Sequence, residues 1–151
     1  RVSVMERTNA RYVTGFPERI QFVTVDASFI SLRVLLPVIR QWFKEDTGEV
    51  VALIKPQFEA GRAETARGSG VIRDPLIHQS VLRGVLEFAQ AEGYQVKGLI
   101  KSPLTGPKGN IEFLVHLGWP GGEAVNIDEF VSPLFVTADE VDKSIPGHSG
   151  N

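Results

Sequence analysis

The amino-acid sequence predicts an α/β domain, and three observations carry that reading. Two short runs, Ile20–Asp26 and Glu49–Lys55, are apolar almost throughout and rich in β-branched residues, as in parallel strands covered on both faces. A helix is signalled from Asp74-Pro75 to Gly93 by a capping acid, a proline at the first helical position and a glycine stop. Asn110–Leu117 alternates with period two, the mark of a strand.

Taken in order, Val2–Met5 is a short apolar run that fits a first strand, and Ile20–Asp26 is the second. A helix is expected from about Phe29 to Lys44, with Ser28 as its cap. Its apolar residues Ile30, Val34, Val38 and Trp42 recur every four positions, and Pro37 inside it predicts a kink or a late start. Glu49–Lys55 follows as the third strand. The second and third strands each end in one ionisable residue, Asp26 and Lys55, at the edge where open α/β sheets bind ligands. The stretch Pro56–Arg73 is rich in Gly and Arg and reads as a polar connection, of a length usually kept for function or mobility. The Asp74 helix carries the stripe Ile77, Val81, Val85, Phe88 and Ala89. Tyr94–Lys101 and Asn110–Leu117 complete the strands. In the last, Ile111, Phe113, Val115 and Leu117 share one face, and Glu112, Leu114 and His116 the other. Gly106-Pro107-Lys108-Gly109 reads as a turn leading into Glu112. Trp119-Pro120-Gly121-Gly122 marks the end of the domain, with one weak helix expected over Ile127–Val141, interrupted by Pro133.

Composition bounds the function. The chain has 151 residues, 42% hydrophobic and 23% charged, and no cysteine. That suits one soluble-type domain and excludes disulfides, thiolate metal sites and cysteine nucleophiles. Three histidines give little basis for a His-rich metal centre, so no metal is expected. The longest apolar runs fall short of a membrane-spanning helix. No secretory leader is visible in Arg-Val-Ser-Val, and a start at Arg1 points to a piece of a longer protein. Residues 1–118 carry 15 Lys/Arg against 12 Asp/Glu, a net +3, and residues 119–151 carry one Lys against six acids, a net −5. The mildly basic body allows an anionic partner without demanding one, and the acidic tail reads as solvated.

Five blocks stand together in order: Met5–Arg11 (MERTNAR), Val23–Phe29 (VTVDASF), Leu53–Glu59 (LIKPQFE), Gly68–Pro75 (GSGVIRDP) and Gly106–Leu117 (GPKGNIEFLVHL). Over residues 2–118 they closely resemble the TlyA or hemolysin A family of FtsJ-like ribose 2′-O-methyltransferases of ribosomal RNA. The resemblance implies a Rossmann-like S-adenosylmethionine-dependent methyltransferase fold with strand order 3-2-1-4-5-7-6. Val2–Met5 then matches strand 3 and Ile20–Asp26 strand 4, so strands 1 and 2, with the glycine-rich cofactor loop, are expected outside these residues. Residues 1–118 are thus read as the carboxyl-terminal part of the methyltransferase domain, inactive alone, and 119–151 as an acidic extension. The family's S4-like RNA-binding domain has no counterpart here.

The resemblance also implies roles. Of a catalytic Lys-Asp-Lys-Glu tetrad, Asp26, Lys55 and Glu112 carry over, and the first Lys does not. An exposed lysine is protonated at neutral pH, with a pKa near 10.4, so a base role for Lys55 depends on its surroundings. Glu6 and Asn9, with Asp26, are the expected contacts of S-adenosylmethionine. Arg62, Arg67, Arg73, Lys101 and Lys108 are the expected phosphate contacts of ribosomal RNA, although a solvated loop would explain them as well. Arg67-Gly68-Ser69-Gly70 stands where the family typically has Lys-Gly-Gly, which keeps the charge. A cytoplasmic enzyme acting on ribosomal RNA or a ribosomal subunit, without membrane contact, is the leading expectation. A non-catalytic RNA-binding module on the same fold is the alternative.

Overall fold

The structure, a computed structural model, describes residues 1–44 and 47–136. Four strands form one mixed sheet: β1 (Phe22–Val25), β2 (Gly48–Ile54), β3 (Gln95–Lys101) and β4 (Phe113–Trp119). Their order is β1-β2-β4-β3, with β1 parallel to β2 and β4 antiparallel to both neighbours. This order is compatible with the 4-5-7-6 stretch of the strand order that the resemblance implied.

The helices are α1 (Leu32–Trp42), α2 (Pro56–Glu59), α3 (Arg62–Arg67), α4 (Pro75–Ala91) and α5 (Asp128–Val131). One sheet face carries the core: Val50, Ala52 and Ile54 of β2 and Phe113, Val115 and Leu117 of β4, under Leu36 and Ile39 of α1 and Leu82 and Leu86 of α4. Ile127 and Val131 close the same core. On the opposite face Val51, Leu53 and Leu114 are only half-buried. The expected double coverage of the apolar strands therefore holds on one face among the described residues. No helix of the described residues is long and apolar enough to cross a membrane.

Several boundaries differ from the sequence reading. Val2–Met5 is not a strand but exposed chain without regular structure, because no neighbouring strand among the described residues is there to receive its backbone hydrogen bonds. The N-terminal segment is held instead by Trp42, whose indole Nε1 donates to the Val13 carbonyl at 2.7 Å and whose ring meets Phe16 edge-on. Helix α1 begins late, at Leu32, and its cap is Ser31 rather than Ser28: the Ser31 hydroxyl accepts from Arg33 N at 3.0 Å. Pro37 lies one turn inside it. The polar connection contains α2 and α3, and it buries Pro56, Gln57, Val71 and Ile72. Strand β4 starts at Phe113, leaving Glu112 just before it. Of the helix expected over Ile127–Val141, Asp128–Val131 is α-helical and Ser132–Phe135 a 3-10 turn; residues 137–141 lie outside the described residues.

Candidate active site

The topology gathers the site. Because β1 and β2 run parallel, Asp26 and Lys55 leave the sheet at the same rim. Because β4 runs the other way, Glu112 enters the sheet there, with Phe113 in register with Ile54. Lys55 is the N-cap residue of α2 and is 8% exposed, whereas the side chain of Asp26 is 71% exposed. The Lys55 Nζ lies 2.6 Å from Asp26 Oδ1 and donates to Ser28 Oγ at 3.3 Å. A lysine at a strand end ordinarily extends into water. Here a carboxylate and a hydroxyl fix the ammonium at the rim.

Glu112 is 6% exposed, and its Oε1 accepts from Gln57 Nε2 at 3.0 Å. Gln57 follows Lys55 by two residues in α2, so one short helix ties the lysine to the acid. Gly106 is required here by close approach: a Cβ at that position would collide with the Glu112 carboxylate. The structure thus brings Asp26 and Lys55 into contact and sets Glu112 on the same rim, held through Gln57. Glu59 serves a structural end, accepting from Ser31 Oγ at 2.6 Å and Leu32 N at 2.7 Å and so fixing the start of α1.

Beside the pair opens a cleft of about 870 Å³, lined by Ser28, Phe29, Phe58, Arg62, Lys108 and Asn110 among others. Phe29 is 90% exposed at a left-handed φ of 61° and packs against Phe58, ring centroids 4.8 Å apart. An open aromatic face at a charged rim suits a planar ring. Sequence reasoning missed both aromatics, yet a signal was present: each lies three residues beyond the ionisable residue that ends its strand, Asp26 or Lys55. It also missed Gln57.

A second, smaller cleft of about 390 Å³ is lined by Arg67, Gly68, Ser69, Val71, Arg73 and Lys108. Of the expected phosphate contacts, Arg62 and Lys108 face the larger cleft, and Arg67, Arg73 and Lys108 the smaller one. Lys101 lies at the end of β3 and lines neither. Glu6 and Asn9 stay exposed in the N-terminal segment. Asn9 caps a 3-10 turn, its side-chain oxygen accepting from Arg11 N at 3.1 Å, and neither residue bonds to the Asp26–Lys55 pair among the described residues.

The four-stranded sheet and its rim define an α/β domain of the methyltransferase type. The chain belongs to the FtsJ-like methyltransferase family, which matches residues 1–119. Bacillus subtilis YqxC, named as an rRNA methyltransferase, is 54% identical over 127 residues, 80% of this chain and 43% of YqxC. The Mycobacterium tuberculosis protein named 16S/23S rRNA (cytidine-2′-O)-methyltransferase TlyA is 41% identical over 121 residues, 78% of this chain and 44% of that protein. A solved structure from Lactococcus lactis, named as a hemolysin, superposes with a TM-score of 0.76 at 44% identity, over 88% of this chain and 66% of the other. The chain spans less than half the length of these curated relatives.

Proposed function

We propose that the chain is part of an S-adenosylmethionine-dependent ribose 2′-O-methyltransferase of ribosomal RNA, working in the cytoplasm on the RNA or a ribosomal subunit. The observation that carries this reading is the buried Lys55, gripped by Asp26 at the strand rim and opening beside a cleft with an exposed aromatic. The names of YqxC and TlyA support the substrate class.

In this reading the chain's residues position a weak nucleophile and take its proton. The ribose 2′-hydroxyl enters the larger cleft beside Phe29. Lys55 Nζ, held by Asp26 and Ser28, is the group that the family resemblance assigns to the hydroxyl proton. Asp26 holds Nζ in line, and Glu112, steadied by Gln57, fixes the hydroxyl. Arg62, Arg67, Arg73, Lys101 and Lys108 bind the RNA backbone.

S-adenosylmethionine supplies a methyl group already activated by the sulfonium charge. The acids present fit it in kind: a sulfonium and a ribose diol call for negative charge and hydrogen-bond acceptors, which the exposed carboxylates of Asp26 and Glu6 provide. Asn9 has its side-chain oxygen engaged and keeps its amide hydrogens for the cofactor. We also infer that these residues form only part of the cofactor site. The sheet order supports this, since the strands beyond β1 in the family order are the ones that carry the glycine loop.

Transfer of a labelled methyl group to ribosomal RNA by the intact enzyme tests the activity. Calorimetric titration of the 151-residue chain with S-adenosylmethionine tests the partial site. The expected results are transfer by the intact enzyme and no heat of binding to the chain alone. An intact enzyme without transfer would sink the function, and saturable binding by the chain would sink the partial-site reading.

A further inference from the structure

The two clefts share a wall. Ser69 and Lys108 line both, so a polymer strand leaving the larger cleft over that wall enters the smaller one. The wall is built from two turns clamped together by Asn110, which is 3% exposed. Its Nδ2 donates to the carbonyls of Gly70 at 3.0 Å and Pro107 at 3.1 Å, and its Oδ1 accepts from Ile72 N at 3.1 Å. Lys108 Nζ adds a 3.4 Å bond to the Ser69 carbonyl.

Both wall residues adopt left-handed backbone, Ser69 at φ 52° and Lys108 at φ 58°. That conformation is unfavourable for a non-glycine residue, and it persists only where surrounding bonds impose it. The clamp therefore holds Lys108 in place at some cost. Around the smaller cleft stand three cations, Arg67, Arg73 and Lys108, and among the described residues none forms an ion pair. Like charges on a fixed frame repel one another unless an anion sits between them.

We propose that Arg67, Arg73 and Lys108 form one subsite for a single phosphodiester, the linkage adjoining the nucleotide seated in the larger cleft. The subsite rests on the RNA reading above and sharpens it. The three cations act as one phosphate receptor, not as a diffuse basic surface. The two guanidiniums offer forked donors that match phosphate oxygens, and Lys108 sets the register between nucleotide and phosphate.

Counting neutralised phosphates separates the two cases. For a single strand, each phosphate contact contributes about 0.7 to the slope of log affinity against log salt. The experiment measures binding of a single-stranded RNA to the 151-residue chain by fluorescence anisotropy across a salt series. With one shared phosphate, the triple Arg67→Ala, Arg73→Ala, Lys108→Ala variant lowers the slope by about 0.7 in all, and Lys108→Ala alone lowers it by less, since two arginines still hold the phosphate. Three independent contacts would instead lower it by about 2 in the triple variant.

A second measurement leaves the protein untouched. In an RNA trinucleotide, a neutral methylphosphonate at one of the two linkages is expected to cost about tenfold in affinity, as for a lost charge-assisted bond. The same replacement at the other linkage costs much less, and the triple variant does not distinguish them. Equal losses at both linkages, or additive slopes, overturn the subsite and leave RNA binding standing. No RNA binding at all overturns both the subsite and the RNA substrate.

Discussion

A lysine ammonium set 2.6 Å from Asp26 and nearly closed off from water has lost the freedom that makes surface lysines replaceable. In the intact enzyme, Lys55→Ala or Asp26→Ala is expected to abolish methyl transfer while RNA affinity stays within a few-fold, since the proposed phosphate contacts lie elsewhere. Parallel turnover and RNA-binding assays check this, and near wild-type turnover by either variant would end the proposed roles. Asp26 and Lys55 were legible in the sequence because each is a lone charge ending an apolar strand. Gln57 was not, since its bond to Glu112 joins residues 55 positions apart. Burial also sets a pH limit through His78, whose imidazole is held below its ordinary pKa of 6.5 first by desolvation, with Lys101 adding to the effect. The bond between its Nε2 and the Ile72 carbonyl at 3.0 Å acts in the opposite sense, as does Asp74 to a smaller degree. Below pH 6.5 the unfolded chain therefore binds more protons at this residue than the folded one, so stability is lost as pH falls from about 7 toward 5. Urea unfolding midpoints at the two pH values should fall less in His78→Gln than in the wild type.

Helix starts show what local sequence encodes and what it leaves to tertiary contact. Asp74 caps α4 through a bond to Leu76 N at 2.8 Å, two residues away, and the Asp-Pro pair announced it. Helix α1 offered two serines, 28 and 31, and Glu59 decides between them by taking the Ser31 hydroxyl and Leu32 N. No local rule could choose, because the deciding carboxylate comes from α2. Glu59→Ala should lower stability by about 1–3 kcal/mol, and Asp74→Ala by about 1 kcal/mol, both read from urea midpoints. Glu59→Ala carries a second signature. Releasing the start of α1 frees the Ser28–Phe29 segment beside Lys55, so amide exchange should rise there and not around Asp74. Equal exchange in the wild type and Glu59→Ala would mean that the cap does not hold the site segment. The same logic explains Val2–Met5, whose composition suits a strand but whose hydrogen-bond partner no local pattern supplies.

At the scale of the whole molecule, the strand succession was readable from apolar runs, but the insertion of β4 between β2 and β3 was not. Nothing in residues 113–119 distinguishes an inner strand from an edge strand, and the order came only through the family resemblance. Charge is distributed at this scale too. The two clefts are lined by Arg62, Arg67, Arg73 and Lys108, whereas residues 137–151 carry three acids against one lysine. Under the proposed RNA reading, the net negative charge of that stretch opposes RNA binding at long range. A chain ending at Val136 should therefore bind RNA more tightly than the full chain at low salt, by roughly threefold or less at 10 mM, where the screening length is about 30 Å. The difference should vanish by about 1 M, where that length falls to about 3 Å. The slope of affinity against salt separates this long-range effect from the phosphate subsite: truncation steepens it, whereas Lys108→Ala flattens it. Identical affinities for the two chains at 10 mM salt would show that the acidic end lies outside the reach of the RNA field.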